Sequence, residues 1–242
     1  MNYIIGRKPV LEALKYGVEL EQIYIAFGQK GDILHTIKKL ALENNVKISE
    51  MNMQKIISIS KSENTQGIIA IRKLYKEISL DELINKTHNI KNPIFLILDT
   101  IQDPQNLGAI LRTAECAGVN GVIISTHNSA PITQTVEKIS VGALSHLDIC
   151  PISNITNAIK MLKENGFWIV GTSLATDKLY SEIDYNIPLG VVIGNEEKGI
   201  RDLVAKNCDF LVKIPMKGKI QSLNVSVATG VLLFEILRKR NC

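Results

Sequence analysis

The chain has 242 residues, 45% of them hydrophobic and 21% charged. It can bury roughly 70–75% of its extended surface without a disulfide or metal staple, and it is too apolar to be disordered. The 28 Lys and Arg against 24 Asp and Glu leave a charge of +4; this permits a polyanionic partner without arguing for one, since local clustering decides phosphate affinity.

The amino end, MNYIIGRKPVLEALK, has no cationic start followed by an apolar run, and no window approaches the ~18 apolar residues of a membrane span. A soluble, cytoplasmic chain with no membrane partner is expected, so Asn-x-Ser/Thr triplets such as Asn85–Thr87 are not read as glycosylation signals. Pro9 suits a first helical position, and VLEALKYG then runs to Gly17 as its cap. QIYIAF reads as a strand, GDILHTIKKLALENN as a helix, VKISEM as a strand and QGIIAIRKL as a last strand. Residues 1–75 thus form a small α/β domain. Across 76–92 the apolar density falls and a linker is expected, with Ser79-Leu-Asp-Glu82 placed to open one short helix as a capping box.

From Pro93 to the end, a second domain of residues 93–242, the apolar runs strengthen. IFLILD, GVIIS, LDICPI, FWIVGT, LGVVIG and FLVKIPM are rich in β-branched residues and apolar at successive positions, as strands buried on both faces require. NLGAILRTAECAG, ITQTVEKISVGA, NAIKMLKENG and KGIRDLVAKNC carry helical patterns between them, and SVATGVLLFEILRKR closes the chain. This alternation predicts an α/β fold with a mostly parallel sheet and helices on both faces. Ligands of such sheets bind beyond the strands' carboxyl ends.

Cys116, Cys150, Cys208 and Cys242 lie far apart, without metal-ligand spacing, and read as reduced thiols; the first three sit in apolar surroundings that suit core packing. No metal is expected. With 5% aromatic residues, stacking should not dominate any nucleic-acid contact. The basic clusters, Arg238-Lys239-Arg240 and Lys213, Lys217 and Lys219, read first as solvated surface and tail.

The common glycine-rich nucleotide motifs and the hydrolase motifs G-x-S-x-G and H-E-x-x-H are missing. Three strand-end segments are unusual instead. DTIQDPQNLGAILRTA (99–114) leaves strand IFLILD and enters a helix, with Pro104 at its start and Asn106 and Arg112 inside it. GNEEKG (194–199) is a glycine-bounded acidic turn after LGVVIG, and IPMKGKIQSLNVS (214–226) is a polar loop leading into the last helix. Singly, each residue has an ordinary role: Asn106 near a helix start, Arg112 and Glu196 on the surface, Ser222 or Asn224 as a helix cap. Together, three polar segments following strands of one sheet point to a site.

DTIQDPQNLGAILRTA, VVIGNEEKGI and IPMKGKIQSLNVSVATGVLLFE resemble, in order and spacing, the three motifs of the SpoU (TrmH-type) branch of the SPOUT RNA 2′-O-methyltransferases. Residues from GRKPVLEAL to QGIIAI resemble the ribosomal-protein-like RNA-binding domain of the subgroup that methylates guanosine in 23S rRNA, although Thr65-Gln66-Gly67 stands where that subgroup usually has His-Gln-Gly. The resemblance implies S-adenosylmethionine as methyl donor, a C-terminal trefoil knot that forms the donor pocket, and a homodimer whose second subunit completes the active site. It places Gly194, Ile214 and Leu223 at the donor through backbone groups, and Asn106, Arg112, Glu196, Ser222 and Asn224 in the catalytic machinery. A missing Cβ at Gly194 would let backbone approach a ligand. Arg112, always charged, is a reluctant base; it suits gripping a phosphate and favouring an ionised 2′-hydroxyl, an effect of ~1–3 pKa units for a cation at close range. The group that accepts the proton stays open. So do two other substrates or roles, methylation of tRNA and a non-catalytic RNA-binding relative; a nicotinamide oxidoreductase would fit the sheet pattern but not the absent glycine fingerprint.

Overall fold

The structure, a computed structural model, describes residues 3–73 and 75–240. Leu74, the end of the last expected N-terminal strand, and Cys242 lie outside the described residues. Two compact units divide the chain, Met1–Leu74 and Tyr75–Cys242.

The first unit runs β1 (Tyr3–Ile5), α1 (Arg7–Lys15), β2 (Leu20–Ala26), α2 (Asp32–Glu43), β3 (Lys47–Met51), α3 (Met53–Ser60) and β4 (Ile68–Arg72). Its four-stranded sheet has the order β1-β4-β2-β3, with β2 parallel to β3 and β4 antiparallel to both β2 and β1. Val10 and Leu14 of α1 and Leu34, Ile37 and Ala41 of α2 bury one face against Ile23, Ile25 and Ile68. Helix α1 begins at Arg7, two residues earlier than Pro9 suggested; the proline still lies in the first turn, where its missing N–H breaks no helical bond. Sequence reading missed α3, whose Asn52 side chain caps it by accepting from the Gln54 N–H at 2.9 Å.

The second unit continues with β5 (Lys76–Glu77), α4 (Leu80–Lys86), β6 (Ile94–Leu98), α5 (Pro104–Cys116), β7 (Gly121–Ser125), α6 (Gln134–Ser140), β8 (Asp148–Ile152), α7 (Ile155–Glu164), β9 (Trp168–Thr172), β10 (Leu189–Ile193), α8 (Asp202–Ala205), β11 (Phe210–Val212) and α9 (Val225–Arg240). Its seven strands pair in the order β11-β9-β10-β6-β7-β8-β5, every pairing parallel. Alternate residues of β6 serve opposite faces. Leu96 and Leu98 pack with Leu107, Ile110 and Leu111 of α5 and Leu232, Leu233 and Ile236 of α9; Phe95 and Ile97 pack with Ile159 and Leu162 of α7.

The segment 76–92 is no linker. β5 pairs with β8, and Ile78, Leu80, Leu83 and Ile84 enter the core beside Phe95 and Ile123. Four apolar residues among polar neighbours kept that face out of view. Ser79 does cap α4, accepting from the Glu82 N–H at 3.2 Å.

The C-terminal cations are not a free tail. Arg240 donates to the carbonyls of Tyr185 (2.8 Å), Asn92 (2.5 Å) and Ile187 (2.7 Å), and Lys239 to those of Ser181 (2.5 Å) and Ile183 (2.9 Å). Of the cysteines, Cys150 is buried and Cys208 partly so, but Cys116 is exposed, because it falls on the outer face of α5.

β6 and β10 are neighbours although far apart in the chain, and they mark where the sheet's winding reverses. The loops leaving their carboxyl ends begin at Asp99 and Gly194, the position at which parallel α/β sheets bind ligands.

Candidate active site

Asp99 ends a fully apolar strand and is wholly buried, so its carboxylate needs a partner. Arg201 supplies it. The Arg201 backbone N–H donates to one Asp99 oxygen at 3.0 Å, and its Nε and Nη2 meet the other at 2.8 and 2.7 Å. This pair ties the exit of β6 to the segment following the acidic turn. Thr100, buried and β-branched, takes a positive φ of 62°, a left-handed conformation that costs ~1–2 kcal/mol in an ordinary residue. Strain of that kind clusters at functional sites.

Next, the chain turns into α5. The Asp103 side chain caps it, accepting from the N–H groups of Gln105 (3.0 Å) and Asn106 (3.4 Å), and Pro104 occupies the first helical position. Asn106 is thereby held in the first turn, facing the turn after β10.

That turn is built by Asn195. Its backbone exchanges two 2.9 Å hydrogen bonds with Gly199, and its Oδ1 accepts from the N–H groups of Glu197 (3.0 Å) and Lys198 (3.2 Å). Its Nδ2 donates to the Thr100 carbonyl (3.0 Å) and to Glu196 Oε2 (3.2 Å). The other Glu196 oxygen accepts from Asn106 Nδ2 at 3.2 Å. Asn106 Oδ1 in turn accepts from Asn224 Nδ2 at 2.9 Å. Asn224 also caps α9, its Oδ1 accepting from the N–H (2.9 Å) and hydroxyl (2.6 Å) of Ser226.

Residues from all three unusual segments therefore form one connected network. A carboxylate only accepts, so the Asn106 amide must turn its nitrogen to Glu196 and its oxygen to Asn224.

Beside the network lies a cavity of about 350 Å³. Thr172–Leu174, Ile193–Glu197 and Val212–Ile214 line it from the ends of β9, β10 and β11, and Gln221–Leu223 close it from the loop before α9. Gly194, Ile214 and Leu223 thus share one cavity, with Ser222 and Glu196 also in its wall. Ser222 makes no hydrogen bond to a described residue and does not join the network. Gly194 has a further reason to be glycine: a Cβ there would overlap the backbone at Gly199 and Ile200. The close approach is to the protein's own turn.

Arg112 stands apart. It lies further along α5, exposed, its side chain making no ion pair or hydrogen bond to any described residue. Lys213 at the cavity wall is paired with Asp177 at 3.0 Å. Arg201, Asn195 and Thr100 were missed in the sequence; an acid closing an apolar strand signals that Asp99 needs a partner but does not say which. Among the described residues no group of His, Cys, Asp and Glu is placed to hold a metal ion, and no helix is long and apolar enough to cross a membrane.

Residues 93–234 match the model of the SpoU rRNA methylase family, and residues 3–78 match the model described as RNA 2′-O ribose methyltransferase substrate binding. A Staphylococcus saprophyticus protein named as a TrmH family tRNA/rRNA methyltransferase is 41% identical over 98% of this chain and 96% of its own length. A Bacillus subtilis protein named likewise is 38% identical over 99% of this chain and 96% of its own. The crystal structure of an AdoMet-bound rRNA methyltransferase from Sinorhizobium meliloti superposes with a TM-score of 0.65 at 26% identity, over 98% of this chain and 86% of that one.

Proposed function

The chain belongs to the SpoU rRNA methylase family, and on that premise we propose that it transfers a methyl group from S-adenosylmethionine to the ribose 2′-hydroxyl of an RNA nucleotide, a guanosine of 23S rRNA. The observation that carries this reading is that one side chain, Glu196, belongs both to the cavity wall and to the network joining Asn106 and Asn224.

The cavity suits the donor. Its volume falls within the ~300–1,000 Å³ usual for small-molecule sites, and Ile193, Val212, Ile214 and Leu223 give a purine ring apolar walls beside strand-end backbone groups. Gly194, Ile214 and Leu223 are the residues that would hold it. When bound, the donor supplies an electrophilic methyl group with its own leaving group, so the reaction needs no metal.

The protein's tasks are to place the 2′-oxygen and raise its nucleophilicity. Arg112, with its guanidinium uncommitted, is free to grip the adjacent phosphate and stabilise a developing alkoxide. Asn106 and Glu196 present fixed polar groups to the nucleotide, and Ser222 and Asn224 shape the loop beside the donor. The reading includes a trefoil knot around the cavity and a homodimer that completes the site; Val227 and Phe234 of α9, each 51% exposed, support a second copy against that helix. It places the enzyme in the cytoplasm. A tRNA substrate is the second reading, favoured by the tRNA/rRNA naming of the relatives.

The test is methyl transfer from labelled S-adenosylmethionine to unmodified 23S rRNA and, in parallel, to unmodified tRNA, scored for 2′-O-methyl nucleosides. Label in an rRNA ribose-methylated guanosine supports the reading. Label in tRNA alone overturns the substrate and keeps the chemistry, and label in neither overturns both.

A further inference from the structure

One edge of the first unit's sheet gathers groups that its core does not use. β1, β2 and β3 end there and β4 begins there, so the strand-end segments 6–8, 27–31, 52–55 and 65–67 share that edge. These segments carry the cations Arg7, Lys8, Lys30 and Lys55, against one carboxylate, Asp32, in the first turn of α2 beside them. The amino ends of α1, α2 and α3 lie there too and add partial positive charge.

Arg7 ties the loops together. Its Nε donates to the Gln66 carbonyl (3.2 Å), its Nη1 to the Lys30 carbonyl (3.1 Å) and its Nη2 to Gln29 Oε1, while Gln66 Oε1 accepts from the Arg7 N–H at 3.0 Å. Every partner is neutral, so the guanidinium charge is left uncancelled. Gln66 sits at φ 52°, a left-handed conformation unusual outside glycine, and presents both oxygens to Arg7. The loops are thus held in a set geometry.

Phe27 stands directly after β2 and is 64% exposed. It belongs to neither apolar cluster of this unit, and its backbone N–H is fixed to the Met51 carbonyl at 3.0 Å. An aromatic ring on an anchored loop, left in water among unpaired cations, has the composition of a nucleic-acid stacking platform. Duplex RNA hides its base faces by stacking, so the ring can be used only by an unpaired base.

We propose that this edge is the RNA-contacting surface of the first unit, taking a single-stranded loop with one base stacked on Phe27 and its phosphates met by Arg7, Lys8 and Lys30. The proposal rests on the reading of the chain as an RNA-modifying enzyme and assigns substrate-recognising residues to the first unit, while the methyl-transfer residues belong to the second. The low aromatic content of the chain is no obstacle, since one ring is enough.

The test measures binding of the full-length protein to unmodified 23S rRNA and tRNA transcripts by filter retention at several salt concentrations. Methyl transfer and calorimetric S-adenosylmethionine binding are measured alongside. Phe27→Ala is expected to weaken RNA binding about 5- to 150-fold, and Phe27→Trp to retain it. Lys30→Ala is expected to lower the slope of log affinity against log salt by about 0.7. Donor affinity should stay unchanged in all three, which separates a lost contact from a misfolded protein. Wild-type affinity in both Phe27→Ala and Lys30→Ala, a Phe27→Trp variant as weak as Phe27→Ala, or a wild type that binds neither RNA would overturn the proposal. A wild type that binds RNA but transfers no methyl group would overturn the functional reading alone, because the binding variants still report on the surface.

Discussion

Asn106 and Glu196, 90 positions apart in the chain, are joined amide to carboxylate by a hydrogen bond of 3.2 Å. Because Asn224 donates to the other end of the same amide, this bond links the first turn of α5 and the turn after β10 to the start of α9. Asn195 holds the second Glu196 oxygen, so the carboxylate is gripped from two sides.

Asn106→Asp tests whether that chain of donors matters. The substitution keeps size and the ability to accept from Asn224, but it sets a second carboxylate against Glu196. The Nδ2 donor to Glu196 is lost and a like charge faces the carboxylate. Methyl transfer relative to wild type should therefore be lowered at least tenfold. Full activity would remove the Asn106–Glu196 contact from the machinery.

Arg112→Ala should separate activity from stability. The side chain is exposed and has no partner in the described structure, so removing it should change stability by no more than ~0.5 kcal/mol. If it stabilises developing charge on the 2′-oxygen, transfer should fall a hundredfold or more, the loss of ~3–4 kcal/mol typical of one such contact. Thermal melts and single-turnover rates on the same preparations give both numbers. Full activity would dismiss Arg112; a large loss of stability would show a structural role.

The legible parts of this fold were those whose pattern is local. β6 and β10 read as strands because five successive apolar residues leave them no polar face. β1 and β5 have three and two residues, too few for any period to show. Arg238-Lys239-Arg240 looked like a solvated tail because the carbonyls that Arg240 and Lys239 hold lie in other loops. In the candidate site, the polar segments were visible as departures from strand and helix patterns, and their alignment with family motifs named the residues. Arg201 was not visible: its partner Asp99 is 102 positions away, and no spacing rule connects them. Gly194 was singled out for a ligand's approach, whereas the contact that forbids a Cβ is with its own turn.

The buried thiols predict an alkaline weakness. Burial pushes Cys150 up to about 11 and Cys208 up to about 12, away from the ordinary thiol value. A thiol with a raised folded-state pKa stays protonated in the fold while the unfolded chain ionises. Its contribution to stability is full below the unfolded pKa of about 8.5 and is lost as the pH climbs toward the folded values. In that window each group should cost about 1.4 kcal/mol per pH unit. Urea unfolding at pH 8 and pH 10 should show the loss, and Cys208→Ser should reduce it. At pH 8 a thiol-alkylating reagent should label exposed Cys116 and spare Cys150 and Cys208 in the native protein. Equal labelling of all three would contradict the burial.

Gly194→Ala joins the turn to the cavity. The added methyl group meets backbone at Gly199 and Ile200, not a side chain that can rotate away, and the Asn195–Gly199 hydrogen-bond pair resists opening. Relief requires shifting the turn, and with it Asn195 and the Glu196 carboxylate it holds. The variant should lose ~1–3 kcal/mol of stability, the usual penalty for overpacking, and should bind S-adenosylmethionine at least tenfold more weakly. Gly166→Ala is the matched control. Gly166 follows α7 with φ 85° and open space around it, so an alanine there meets only the left-handed cost of ~1–2 kcal/mol, away from the cavity. Comparable destabilisation with unaltered donor affinity is expected for that control. Measured by calorimetry, equal donor affinity in the two variants would mean that the turn after β10 does not shape the donor site, and the assignment of Gly194 to donor binding would fall.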